Sequence, residues 1–319
     1  MSPVSQAQLQ RTVRAAGRVG VLMGGASAER AISLRSGEAV LTALRNAGVD
    51  ACPIDWNGRL SREFFEHAVD RYFIVLHGRG GEDGQIQAVL DLIGIPYTGS
   101  GVLGCALAMD KPRAKLVWTG AGLPTPSFEM PGEDYDPEAI LARLGAPVFV
   151  KPAREGSSIG VSKVDNGEAL RTAIEQARAF DPDVLVERAI SGGEYTLSVV
   201  DGEALPMIKL ETSRAFYDYE AKYVADDTRY LCPCGLASAD EQAAAELGMR
   251  AFDALNCRGW GRVDFMRDDS GQMWLIELNT VPGMTDHSLV PMAARENGMS
   301  FEDLVLTILA ASMRTEQGR

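Results

Sequence analysis

Apolar positions along the first hundred residues switch repeatedly between two spacings. RVGVLMG (18–24) predicts a buried strand, because a short unbroken apolar run ending in glycine suits a strand covered on both faces. A helical spacing follows GASAER and continues to about Ala47. A short strand is expected near 50–55, a helix near 61–69 and another strand in YFIVLHG (72–78). After a loop come a helix in GQIQAVLDLIG and the short PYTG. This alternation predicts a parallel sheet covered by helices, with ligand loops beyond the carboxyl ends of its strands. GGASAER and HGRGGEDG both fall there.

The pattern changes further on. SGVLGCALAMDKPRAKLVWTGAG reads as helix and the Pro-rich LPTPSF as a connector. PVFVKPAREGSSIGVSKV (147–164) predicts two strands joined by a loop of small residues, followed by a helix at about 166–180 and the strand VLVER (184–188). EYTLSVVDGEALPMIKL predicts a hairpin turning at Asp201-Gly202. Residues 211–235 are long and irregular, which in a compact domain marks a lid or a disordered stretch. A helix over 239–255, two strands in GWGRVDFMRD and QMWLIELN, and further helices close the chain. No internal repeat or low-complexity tract interrupts it.

With 319 residues, 46% hydrophobic and 24% charged, the chain has the make-up of an ordinary globular protein of two or three domains. Its net charge of −13 argues against a general nucleic-acid binder, which needs a basic face. Five cysteines, Cys52, Cys105, Cys232, Cys234 and Cys257, are too sparse and irregular for a disulfide framework, and Cys232-Pro233-Cys234 has no partner pair to complete a zinc set. Residues 1–17 lack the apolar core of a secretory signal, and no apolar run is long enough to span a bilayer. A cytoplasmic protein with a flexible arm at 1–17 is expected.

Two strands carry polar residues where a buried strand should not. In IELNTVPG (276–283), Glu277 and Asn279 stand two apart and therefore share a face. Alone, such a pair fits a face that meets water. In GRVDF (261–265), Arg262 and Asp264 also share a face. If the two strands pair, Asp264, Glu277 and Asn279 converge as three hard oxygen donors suited to Mg²⁺. The competing reading is a salt bridge from Arg262 to Asp264 or Glu277, which leaves Asn279 without a purpose. The loop EGSSIG (155–160) lacks both P-loop and G-x-G-x-x-G spacing. Its small residues suit either a plain hairpin turn or an anion cradle, and Lys151 and Lys111 nearby favour the anion. Gly283 in its tight turn, with Arg262, suits an oxyanion in a tetrahedral intermediate.

In order along the chain, MGGASAER, VLHGRGGEDGQIQ, YTGSG, AMDK, KPAREGSSIGVSK, FYDYEAKY, GWGRVDF, ELNTVPGMTDHSLVPMAA and GMSF resemble the D-alanine–D-alanine ligases of the ATP-grasp superfamily. They run from residue 18 to about 305. The resemblance implies an α/β fold, α+β in part, in three domains. These are an N-terminal parallel domain (18–99), a small central domain (100–187), and a C-terminal domain (188–319) with a mostly antiparallel sheet and a lid near 211–233. It implies ATP between two antiparallel sheets, a D-alanyl acyl phosphate, and D-alanyl-D-alanine for peptidoglycan.

Carried over by motif, Asp264, Glu277 and Asn279 hold two Mg²⁺ ions, which Mn²⁺ can replace. Lys111, Lys151 and Lys222 approach the ATP phosphates under the loop of Glu155, Gly156, Ser157 and Ser158. Glu187 holds ribose or adenine, and Glu194 a ribose hydroxyl. Glu29 binds the first D-alanine's ammonium, with His77 near the substrates. Arg262 and Gly283 form the oxyanion site, and Ser288 and Leu289 meet the second D-alanine. Hydrogen bonds among Glu29, Ser157 and Tyr223 pin the lid, and a tyrosine at 223 favours the dipeptide over the D-lactate ester. A homodimer through the first domain is also implied, with no nucleic-acid or membrane partner. The chain departs from many members at Arg188-Ala189-Ile190, where a tryptophan is common near 189, so a looser adenine edge is expected. A ligase using D-serine or D-lactate, a non-catalytic sensor and a dinucleotide oxidoreductase are the competing functions. The last lacks its glycine fingerprint.

Overall fold

The structure is a computed structural model that describes residues 6–211 and 228–314. Its first unit is a parallel sheet of β1 (Val19–Gly24), β2 (Ala51–Trp56) and β3 (Arg71–Ile74), ordered β2-β1-β3. Every residue of β1 is buried, as its unbroken apolar run requires, and helix α2 (Arg30–Asn46) packs on it. Strand β3 ends earlier than expected. Val75 still donates to Leu22 O at 3.0 Å, and the following residues carry His77 and Gly78 into a loop beyond the sheet.

Where a flexible arm is expected over 1–17, residues Gln6–Ala15 form helix α1. Leu9, Thr12 and Ala16 are buried, a spacing that draws one stripe along an otherwise polar helix. That stripe packs against the last helix, Phe301–Arg314.

The segment read as a single helix after residue 100 is two helices, α5 (Val102–Met109) and α6 (Lys111–Gly120), following α3 (Arg62–Glu66) and α4 (Gln85–Ile93). Asp110 between them is extended and caps α6 by accepting from Arg113 N at 3.1 Å, and Pro112 sits in the first turn, where its missing N–H costs nothing. Lys111 N donates to Ala153 O of the central unit at 3.1 Å, while the apolar side of the two helices turns to the large sheet. Ala108, Ala114 and Trp118 bury against Leu197, Val263, Phe265 and Leu275 of the large sheet.

The central unit has its own core, from Ile140 to Val186. Its antiparallel sheet, β4 (Phe128–Glu129), β5 (Val148–Pro152), β6 (Ser162–Val164) and β7 (Val184–Arg188), runs in the order β4-β7-β5-β6 and is backed by α7 (Pro137–Leu144) and α8 (Gly167–Arg178). The large antiparallel sheet is ordered β11-β10-β8-β12-β13, from β8 (Gly193–Val200), β10 (Ile208–Glu211), β11 (Arg229–Leu231), β12 (Trp260–Arg267) and β13 (Met273–Asn279). The short β9 (Glu203–Ala204) pairs with β8 across the expected turn, where Asp201 and Gly202 have φ of 60° and 79°. Helix α9 (Ser238–Ala254) backs this sheet, while α10 (Leu289–Glu296) and α11 (Phe301–Arg314) return to the first unit's core. No helix among the described residues is long and apolar enough to cross a membrane.

Candidate active site

Two clefts meet at Glu277. One, of about 650 Å³, lies between the small and large antiparallel sheets, and the other, of about 500 Å³, lies between the large sheet and the first unit. Strands β12 and β13 supply the floor they share. Their register sets Asp264 opposite Glu277 and Arg262 opposite Asn279. The next pair is Phe265 with Leu275, so Ile276 is an extra residue in a β-bulge. The bulge lets Leu275 point into the core while both Ile276 and Glu277 face the cleft. Strict alternation would have put Leu275 and Glu277 on the same side.

The two readings of this polar face prove compatible. Arg262 Nε and Nη2 each reach a carboxylate oxygen of Asp264 at 2.8 Å. Thr196 Oγ1 donates to Asp264 Oδ1 at 2.7 Å, and Asn279 Nδ2 donates to Oδ2 at 3.0 Å. The salt bridge and the convergent trio therefore coexist. Among the described residues no three His, Cys, Asp or Glu side chains gather as a metal cage. The donor set for a cation is thus two carboxylates and an amide on one sheet face. It fits a hard divalent ion, which keeps several ligands outside the protein. Half a turn of the Asn279 amide replaces its donor with an oxygen facing the same space.

In the larger cleft Lys111, at the start of α6, donates to Glu155 O at 2.6 Å and lies 3.7 Å from Glu277 Oε2. Lys151 on β5 pairs with Glu187 on β7 and sits 5.4 Å from the Phe149 ring centroid. Glu187 is only 1% exposed, and its other oxygen lies 2.8 Å from Lys115 Nζ, which is fully buried. Burial acts to raise the Glu187 pKa, but Lys115 and Lys151 overcome it and hold the group down at about 2. Burial lowers Lys115 despite the attraction of Glu187. Lys115 also donates to Thr125 Oγ1 at 2.7 Å. So Glu187 clamps two lysines at the wall of the cleft, and Glu194, on β8, lines the same cleft.

The loop from Glu155 to Gly160 arches toward the first unit. Ser157 and Ser158 have φ of 52° and 59°, a conformation rare for non-glycine residues. Ser157 Oγ donates to Glu29, Gly156 lies beside the same carboxylate, and Arg79 Nε reaches Glu155 Oε1 at 2.8 Å. Glu29 stands at the head of α2 and lines the second cleft. Of the residues expected to pin the lid, Glu29 and Ser157 are therefore joined, while Tyr223 and the phosphate-facing Lys222 lie outside the described residues.

The second cleft ends on the turn between β13 and α10. Ser288, the residue before α10, has its Oγ 2.9 Å from Thr285 N and 2.9 Å from Thr285 Oγ1. A Cβ on Gly283 would meet that Oγ at 2.8 Å, so any larger residue there would push the Ser288 hydroxyl aside. Leu289 opens α10 and is buried while lining the cleft. His77 is buried, with Nδ1 2.8 Å from Val281 O and Nε2 3.1 Å from Ser36 Oγ. Burial lowers its pKa, outweighing the attraction of Glu29. Neither ring nitrogen is left over to serve as a base.

Family models agree with this architecture. One described as D-ala D-ala ligase C-terminus matches residues 117–310, and one described as D-ala D-ala ligase N-terminus matches residues 58–100. The chain belongs to the D-alanine–D-alanine ligase family. A D-alanine--D-alanine ligase of Marinobacter nauticus is 58% identical over 93% of this chain and 91% of its own length. One from Ectopseudomonas mendocina is 57% identical over 94% and 96%. Among solved structures, the D-alanine--D-alanine ligase of Bacillus anthracis superposes with a TM-score of 0.86 at 33% identity, covering 95% of this chain and 99% of that one. The VanG D-Ala:D-Ser ligase of Enterococcus faecalis reaches 0.81 at 30% identity, covering 93% and 99%. The fold is thus the family's ATP-grasp fold, and the chain is an ATP-dependent ligase.

Lys115, Glu82, Ser36 and Arg79 contact residues of these two clefts without standing out in sequence. Glu82 accepts from Gly78 N at 2.7 Å and from Val281 N at 3.2 Å. Burial, helped by Glu29, pushes its carboxyl up to about 8. A carboxylate inside GGEDG reads as loop surface, and a lysine one turn into a helix reads as solvated. Only the assembled fold shows otherwise.

Proposed function

We propose that the chain joins two D-alanines to D-alanyl-D-alanine, for peptidoglycan precursors in the cytoplasm, by way of a D-alanyl acyl phosphate. The observation that carries this reading is the junction of the two clefts at Glu277. Lysines line one cleft, and groups suited to an amino acid's two charged ends line the other. A neighbouring structure, the Bacillus anthracis enzyme complexed with ATP, superposes with a TM-score of 0.84 at 30% identity and supports the nucleotide assignment.

In this account Lys111 and Lys151 draw the ATP phosphates beneath the loop of Glu155, Gly156, Ser157 and Ser158, with Lys222 assigned to the γ-phosphate. Glu194 takes a ribose hydroxyl, and Glu187 takes a ribose or adenine group while it holds the two lysines in place. Asp264, Glu277 and Asn279 would hold Mg²⁺ or Mn²⁺, whose charge neutralises the phosphates during transfer. Glu29 binds the first D-alanine's ammonium and presents its carboxylate to the γ-phosphoryl group. A carboxylate is a poor electrophile, and phosphorylation supplies a leaving group. The second D-alanine, its carboxylate held by Ser288 and its methyl near Leu289, attacks the acyl carbonyl through its amine. Arg262 and the Gly283 N–H stabilise the oxyanion, and collapse of the tetrahedral intermediate expels phosphate. The closed loop and Tyr223 exclude water that would hydrolyse the acyl phosphate. Pairing of two copies through the first unit belongs to the same proposal.

Incubation with ATP, Mg²⁺ and D-alanine tests the reading. Phosphate release that requires D-alanine, with D-alanyl-D-alanine seen by mass, is expected. Product only with D-serine or D-lactate added as acceptor would overturn the acceptor, and no product with any acceptor would overturn the activity.

A further inference from the structure

The turn that carries Gly283 is gripped by three side chains of the first unit, from positions about 200 or more residues away in sequence. Met284 N donates to Ser36 Oγ at 3.2 Å, and Ser36 Oγ lies 3.1 Å from His77 Nε2. His77 Nδ1 lies 2.8 Å from Val281 O. One direction satisfies the whole chain of contacts. The Ser36 hydroxyl accepts from Met284 and donates to Nε2, so the proton of neutral His77 is on Nδ1 and goes to Val281 O. Glu82 takes the remaining group, accepting from Val281 N at 3.2 Å and from Gly78 N of its own loop at 2.7 Å. Both backbone groups of Val281 and the N–H of Met284 are thus held from across the cleft, with Gly283 between them. Ser36 is fully buried on the α2 face and His77 nearly so.

We infer that Ser36, His77 and Glu82 are positioning residues that set the Gly283 turn against the first unit, and with it the N–H that meets the tetrahedral intermediate. This rests on the reading of Gly283 as an oxyanion donor. Ser36 does not line the substrate cleft, so its removal should act only through the turn. Misplacing a catalytic donor by an ångström costs about 100-fold, and a loosened turn about 10-fold or more.

The test is Ser36→Ala, assayed for kcat, for KM of ATP and D-alanine, and for inhibition by a D-alanyl-D-alanine analogue with a tetrahedral phosphinate in place of the amide. The expected result is a fall in kcat of about 10- to 100-fold, with KM for ATP unchanged and inhibitor affinity weakened by a similar factor, since such analogues report transition-state contacts. Ser36→Thr, which keeps the hydroxyl, should recover most of the loss. Wild-type kcat and inhibition in folded Ser36→Ala would overturn the inference. So would a fall in kcat with inhibitor affinity intact, which marks a structural role alone. If Ser36→Ala does not fold, Glu82→Gln serves, because its amide can accept from only one of the two N–H groups. The same pattern supports the clamp, and unchanged inhibition refutes it. Failure of the ligase reading would show in the wild-type protein, as no dipeptide, whereas failure of the clamp would show only in the variants.

Discussion

Replacing Glu187 with glutamine should destabilise the protein far more than a change of one charge suggests. The substitution keeps the shape but leaves Lys115, fully buried, facing a neutral amide and Thr125. Removing one partner of a buried ion pair costs about 3–5 kcal/mol, because the remaining charge is uncompensated. The two lysines hold the Glu187 carboxyl down from 4.5 to about 2, so the charged pair is a net gain in the folded state. Lys115 is pulled the other way by burial, so part of that gain is offset and the lower end of the range is expected. A depressed folded pKa gives stability that is present above about 4.5 and lost as pH falls toward 2. Urea denaturation at pH 7 should therefore show a loss of about 3 kcal/mol in Glu187→Gln. Between pH 5 and 3 the wild-type protein should lose stability more steeply than the variant. KM for ATP should rise as well, because Lys151 loses the group that orients it. A loss under about 1 kcal/mol, with parallel pH profiles, would refute the clamp of two lysines on one carboxylate.

Asn279→Leu should lower turnover by about 100-fold or more while the melting temperature stays within a few degrees; a folded, fully active variant would remove Asn279 from the donors proposed for the divalent cation. Leu9→Ala should cost about 2–3 kcal/mol by denaturation, because Leu9 anchors α1 to the first core; a cost near zero would return residues 6–15 to a loose arm. Glu82 should make the protein less stable as pH rises. Its folded pKa of about 8 lies above the ordinary 4.5, so its contribution is complete below about 4.5 and lost as pH climbs through 8. Melting temperatures from pH 5 to 8.5 should fall more steeply in the wild type than in Glu82→Gln, and identical slopes would count against a buried, reluctant carboxyl.

What could be read from the sequence was whatever local pattern decides. The all-buried β1, the VLVER strand and the Asp201-Gly202 turn follow from apolar runs and turn chemistry. The shared polar face of β12 and β13 follows from alternation once the strands are paired. The break at Asp110 was legible too, since an aspartate followed by Lys-Pro is a helix start, but the apolar spacing on both sides hides it. Helix α1 was hidden because Leu9, Thr12 and Ala16 form too thin a stripe to stand out among glutamines and arginines. Lys115 and Glu82 were illegible for a different reason. Their burial depends on elements that meet only in the assembled fold, β7 for the lysine and the Val281 turn for the glutamate. The bulge at Ile276 is likewise a property of a strand pair and not of either strand.

Ligation through an acyl phosphate is the central claim, and oxygen transfer tests it most directly. The enzyme would be given ATP and D-alanine carrying ¹⁸O in its carboxylate, and the released phosphate examined by mass. The account predicts one ¹⁸O atom in each phosphate, because the carboxylate oxygen that attacks the γ-phosphoryl group leaves with it. Dipeptide formed alongside phosphate free of ¹⁸O would contradict it.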